Sequence, residues 1–147
     1  MKTINYLTFF VVLFLTTTVA CKKDKGDVKP QENKTQLISR TWILTGASGP
    51  FGDAYSFVPA CQRDNEYEVR TDNTFTLHYK EQKCASDPAE DSSNGNWRFI
   101  DNESKLVLDF LTLPNDTFEI VELSQTQLRV KKRINGMDGI GTFTPKN

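Results

Sequence analysis

Of the 147 residues, 37% are hydrophobic, 11% aromatic and 25% charged; 18 basic side chains face 19 acidic ones, for a formal charge of −1. That balance excludes a collagen, a low-complexity chain, a polytopic membrane protein and a basic nucleic-acid binder, and the length suits one ordinary domain. Three cysteines and one histidine offer little for a metal cluster, so no metal or other cofactor is expected.

The chain opens Met1-Lys2-Thr3, runs through the mostly apolar stretch Tyr6 to Leu15, and reaches Thr16-Thr17-Thr18-Val19-Ala20-Cys21. A positive start, a short apolar run and small side chains before a break are the anatomy of a secretory signal. At about 1.5 Å of rise per residue, such a run falls short of a hydrocarbon core about 30 Å thick. Thr18-Val19-Ala20-Cys21 resembles the bacterial lipobox, whose cysteine is lipidated and becomes the first mature residue. Residues 1–20 are therefore expected to be a lipoprotein signal peptide and Cys21 the lipidation site. Residues 22–34 hold eight charges and, apart from Pro30, a single apolar side chain, Val28. Burial cannot offset the ordering entropy of such a stretch, so 21–34 is expected to be a lipidated cysteine on a flexible charged tether. The expected location is the bacterial cell envelope, anchored by lipid at the outer membrane, with the periplasmic and surface faces both open.

With Cys21 acylated, Cys61 and Cys84 remain as an even pair in a secreted domain, where a disulfide is the natural reading. Two buried thiols or half of a zinc site are the alternatives, and zinc would need two further ligands when His78 is the only histidine.

Residues 35–147 form the expected domain. A polar helical turn at most is expected around Thr35–Ser39. Beyond it, period two dominates: Tyr67 and Val69, Phe75, Leu77 and Tyr79, Trp97 and Phe99, Leu106, Leu108 and Phe110, and Leu128 and Val130 all alternate with polar neighbours. Each run reads as a strand with one apolar and one wet face. Eight strands are predicted, over Arg40–Gly46, Asn65–Arg70, Thr74–Lys80, Gly95–Ile100, Lys105–Leu111, Thr117–Leu123, Gln127–Arg133 and Ile140–Thr144. The sixth breaks phase at Ile120-Val121-Glu122, which predicts a bulge. Turn residues such as Thr71-Asp72-Asn73 and Asp101–Ser104 separate the strands, and no long amphipathic helix intervenes. The expected fold is all-β, an antiparallel up-and-down eight-stranded barrel, with a β-sandwich as the runner-up. Two loops are long: Gly46–Asp64, with Phe51, Tyr55, Phe57 and Val58, and the acidic Gln82–Asn94. A disulfide would tie the end of the first to the start of the second and stiffen one end of the barrel.

Several segments resemble the small lipocalin-like lipoprotein domains of Bacteroidota. They are Leu37–Thr45 with Trp42, Cys61 with Asp64–Tyr67, Thr71-Asp72-Asn73-Thr74-Phe75, Lys83-Cys84 and Gly95-Asn96-Trp97. The resemblance spans roughly residues 36–131 and implies a calycin-type barrel with an apolar interior. It brings little function with it.

The expected inward set is Trp42, Leu44, Tyr67, Val69, Phe75, Leu77, Trp97, Phe99, Leu108, Phe110, Phe118, Ile120, Leu128 and Val130. Eight strands leave an interior just wide enough to be filled by side chains or to hold one small ligand. Large rings favour filling, whereas the apolar 51–58 loop needs a surface to cover, and a barrel mouth supplies one. A small apolar site near that mouth is expected around Trp42, Phe57 and Trp97. Tyr67, Phe75, Phe99, Phe110 and Phe118 complete the candidate ligand-contacting residues.

Other constellations have plainer readings. His78 shares its strand face with Thr74, Thr76 and Lys80 and reads as solvated; no nucleophilic set can be built around it. Asn135–Gly141 lacks the lysine and helix of a phosphate cradle and reads as a hairpin loop. Lys131-Lys132-Arg133 is too short to argue nucleic acid. Glu66 and Glu68 share the wet face, and Glu119 and Glu122 share a face only if the bulge falls between them, so neither pair argues a glycosidase and no catalytic residue is assigned. The expected function is a non-enzymatic, membrane-anchored lipocalin-like protein binding a small hydrophobic or amphipathic ligand. The alternative is an interaction or structural module with a packed barrel. A cavity of about 300 Å³ or more separates the first from the second.

Overall fold

A computed structural model of the protein describes residues 33–147. The expected signal peptide, Cys21 and nearly all of the expected tether lie outside the described residues. The last position of the expected tether, Lys34, opens the short helix α1 (Lys34–Ile38), and Asn33 before it is the cap, its side-chain oxygen accepting the Thr35 N–H at 2.9 Å.

The sheet contains β1 (Thr41–Gly49), β2 (Gly52–Asp53), β3 (Glu66–Val69), β4 (Thr74–His78), β5 (Ser92–Ile100), β6 (Lys105–Phe110), β7 (Asp116–Leu123), β8 (Leu128–Ile134) and β9 (Met137–Pro145). All neighbours are antiparallel and follow chain order from β3 to β9, while β1 pairs with both β3 and β9. That last pairing closes an eight-stranded barrel; β2 is a two-residue flap hydrogen-bonded to the far end of β1. All eight predicted strands are present. The bulge predicted in the sixth lies between Ile120 and Glu122, and a second one, unforeseen, interrupts β1 against β9 between Leu44 and Gly46.

Three expectations need adjustment. The turn before β1 carries more than polar residues, because Leu37 and Ile38 are buried and Ile38 belongs to the core. β5 begins at Ser92, three residues before the predicted start; Ser93 is buried and its hydroxyl lies 3.0 Å from that of Tyr79. β9 begins at Met137, so the glycine-rich run is mostly strand, and the hairpin turn is confined to Asn135 (φ 51°) and Gly136 (φ 83°). Two consecutive positive φ values make the two-residue turn whose twist matches a hairpin.

The inward phase separates into two halves. From the end where β1 starts toward the β4–β5 loop at Tyr79, Ile38, Trp42, Val69, Phe75, Leu77, Trp97, Leu106, Leu108, Leu128 and Val130 are buried with Tyr79 in one cluster. The indole N–H of Trp42 donates to the Ile38 carbonyl at 2.8 Å, and that of Trp97 to the Arg70 carbonyl at 2.8 Å. Both buried polar atoms are thus satisfied and this end is shut. The outward phase is laddered with ion pairs: Lys131–Glu119 at 2.7 Å, Arg70–Glu68 at 2.8 Å, and Glu66 held between Lys80 at 3.1 Å and Lys146 at 2.6 Å.

Gly95 faces inward where the Phe75 and Phe110 rings meet edge-on, with centroids 4.9 Å apart. A Cβ there would sit 2.3 Å from the Asp109 carbonyl oxygen and 2.6 Å from the Phe75 ring. The backbone oxygen belongs to the β5–β6 ladder and cannot withdraw. Gly95→Ala is therefore expected to cost about 3 kcal/mol or more of stability, read as a lowered urea midpoint. An unchanged midpoint would contradict this packing.

Candidate functional site

The other end of the barrel is open. β1 leaves its bulge at Thr45 with Ala47 opposite Gly141, and β9 supplies Gly139 opposite Lys132 of β8. Small residues thus occupy inward positions where the closed end carries rings. A bowl of about 630 Å³ results, with Leu44, Phe118, Val130 and Phe143 toward its floor. Its rim is apolar and bare to solvent: Phe51 is 96% exposed, Phe57 84%, Ile134 57% and Met137 54%. Beneath it lies a smaller apolar cavity of about 90 Å³, walled by Ile38, Trp42, Tyr67 and Leu106 among others, and Phe118, Val130 and Phe143 border both.

The 51–64 loop is pinned beside the mouth by specific bonds. The Tyr55 hydroxyl donates to the Leu44 carbonyl at 3.2 Å. Arg63, at the end of α2 (Ala60–Arg63), donates to the Val58 and Ser56 carbonyls at 2.7 Å each, and its guanidinium lies 5.2 Å from the Tyr55 ring centroid. Cys61 of α2 is bonded to Cys84, 23 residues on. This resolves the choice among disulfide, thiols and zinc in favour of the disulfide, and places the brace at the open end.

This geometry has counterparts. The family model for the lipocalin-like domain matches residues 38–130. The chain belongs to the lipocalin-like domain family. Among solved structures, a lipocalin-like protein from Bacteroides uniformis superposes with a TM-score of 0.53 at 15% identity, covering 75% of this chain and 99% of that one, a likeness of fold. No curated protein matches significantly.

Within this lipocalin-like barrel the expected ligand-contacting residues are dispersed. Phe57 stands on the rim of the bowl and Phe118 between the two cavities. Trp42 and Tyr67 line only the deeper cavity, and the Tyr67 ring meets Phe143 edge-on at 5.6 Å. Phe75, Trp97, Phe99 and Phe110 line neither; they pair with one another inside the core, Trp97 on Phe99 at 5.3 Å and Phe75 on Phe110. Trp42, Trp97 and Phe57 therefore do not form one mouth site, because both indoles are drawn to the closed end by the carbonyls of Ile38 and Arg70. Of the fourteen inward residues expected, thirteen belong to the core cluster or pack on it, while Leu44 faces the bowl.

The carboxylates are structural in placement. Glu66 and Glu68 lie outward; the His78 ring, whose Nε2 is 3.0 Å from Glu68 Oε2, and the neighbouring Arg70 outweigh partial burial and hold the Glu68 carboxyl below its usual range. Glu119 and Glu122 do share the outer face across the bulge, each facing a cation of β8, Lys131 and Arg129.

Sequence reasoning passed over Ala47, Gly139, Gly141, Ile134, Met137 and Lys132. Carrying the period of Leu128 and Val130 two steps further reaches Lys132 and Ile134, so the signal was present but masked by the basic trio.

The disulfide closes a 23-residue separation. Replacing both cysteines by alanine is expected to cost about 3 kcal/mol in the chain-entropy description, measured by chemical denaturation. A loss near zero would mean that the rim loops are already fixed by Tyr55 and Arg63 alone.

Proposed function

We propose that this protein is a lipid-anchored cell-envelope lipocalin-like protein that holds a small hydrophobic or amphipathic ligand in the open end of its barrel. One observation carries the ligand reading: the bowl of about 630 Å³ lies within the range of small-molecule sites and is lined mainly by apolar side chains. It exceeds the size that separates a ligand site from a packed interior. The exposed rim of Phe51, Phe57, Ile134 and Met137 supports the same reading, since clustered apolar surface marks an interaction site. That rim also supports the alternative of a protein-interaction module, with the rim as the contact.

Gly139 discriminates between them. A side chain grafted there has room, with only the Lys132 carbonyl within 4 Å, at 3.8 Å, and would point into the bowl. Gly139→Phe is expected to fill the bowl and abolish saturable binding of an environment-sensitive apolar dye, while the far-UV circular dichroism is retained. Equal dye binding by both proteins would place the ligand elsewhere. Trp42 and Trp97 are poor reporters of the bowl itself, being buried at the other end.

The anchor rests on the sequence from Met1 to Cys21. Cys21→Ser is expected to move the protein from the membrane fraction to the soluble fraction of bacterial cells. Retention at the original level would refute lipidation at this residue.

A further inference from the structure

The bowl contains one charge out of place. On β8 the inward side chains are Leu128, Val130, Lys132 and Ile134, and Lys132 stands opposite Gly139, which has no side chain to cover it. Its ammonium pairs with the carboxylate of Asp116, the first residue of β7 and in phase with the inward Phe118. The same nitrogen lies 5.4 Å from the Phe118 ring centroid, on the wall that separates bowl from deep cavity. Asp116 is felt inside the barrel: the Tyr67 phenol is pushed up to about 12, chiefly by burial and next by the Asp116 charge.

Two other charged residues border the bowl, and neither competes for its interior. Asp53 accepts the Tyr55 N–H at 3.0 Å and is exposed. Asp138 lies on the outward phase opposite Arg133, where its charge acts on Lys131. Among the described lining residues, Lys132 is the one cation.

Stability gives no reason for that cation. Exchanging a partly buried ion pair for apolar side chains is often neutral or favourable, and every other inward position of β8 is apolar. In a mainly apolar site, a single placed charge is what orients an amphipathic ligand. Its present partner is a half-exposed carboxylate, for which a ligand carboxylate is a chemical substitute.

Resting on the bowl being the ligand site, we propose that it selects an anionic amphiphile, a monocarboxylate on an apolar tail. The Lys132 ammonium takes the headgroup in exchange for Asp116, and the tail lies along Phe118, Val130 and Phe143. Asp116 then acts as a competitor held behind the lining, keeping the lysine neutralised while the bowl is empty and setting the affinity it yields to a ligand.

The test is calorimetric titration of the protein with three probes sharing one tail, laurate, dodecanol and dodecylammonium, each below its aggregation threshold and near neutral pH. The readout is the ratio of laurate to dodecanol affinity. Wild-type protein is expected to prefer laurate by about tenfold, the scale of one charge-assisted hydrogen bond. Lys132→Met should bring the ratio near one, Lys132→Arg should preserve the preference, and Asp116→Asn should raise it. A ratio that ignores both positions overturns the headgroup assignment while saturable dodecanol binding leaves the bowl a ligand site. Dodecylammonium binding tightest would also overturn it and make Asp116 the partner. Failure of all three probes to bind wild-type protein would remove the proposal together with the ligand reading beneath it.

Discussion

The ladder between β1 and β9 fixes what the interior can contain. Eight strands closed on themselves give a lumen about as wide as the side chains that can fill it, so occupancy is decided position by position. The ladder joins the first strand of the sheet to the last, and its register from Trp42–Pro145 to Ser48–Ile140 shifts once, at Thr45. Below the shift, Leu44 faces Phe143; above it, Ala47 faces Gly141. Were Thr45 paired in regular register instead of bulged, Gly46 would take the inward place of Ala47 opposite Gly141, and the upper half of β1 would change phase. The closed end is filled down to the small cavity of about 90 Å³ because indoles and phenyl rings occupy inward positions there, where the open end has alanine and glycine.

How much of this was legible depends on range. Strands announce themselves through period two within four to nine residues, and all eight were readable, as was the bulge at Ile120-Val121-Glu122. The helix at Lys34–Ile38 was undervalued because five residues with two apolar side chains carry almost no periodic signal; only the burial of Ile38 under Trp42 reveals its role as a plug. Asn135-Gly136 is a strong hairpin dipeptide, yet the glycines after it drew the whole run into one loop. The bowl was the least legible feature. It arises from the register between two strands nearly the whole domain apart, and no local window contains that register. The two tryptophans were rightly placed inward but wrongly placed along the axis, since their depth is set by hydrogen bonds to carbonyls on α1 and the β3–β4 turn.

The family relationship covers the barrel unevenly. Its match runs from Ile38, the plug, to Val130 on the floor of the bowl. Lys132, the β8–β9 turn and all of β9 lie past that limit, although they close the barrel and build one side of the mouth. The matched stretch therefore contains Ile38, both disulfide cysteines and the strands from β1 to the start of β8. The chemistry of the open end must be argued from this chain's own residues, where one ammonium sits against a ring in an apolar wall.

The wall between the two cavities has a consequence of its own. Phe118, Val130 and Phe143 border both spaces, and they are carried by three different strands, β7, β8 and β9. Backbone partitions are rigid because the ladder holds them, whereas a side-chain partition moves by torsion at χ1 and χ2 between staggered wells. The barrel thus has a false bottom. Its depth is a property of rotamers, so on the proposed ligand reading guests of different length would fit without altering the register of any strand, and the longest would come to rest against the indole of Trp42.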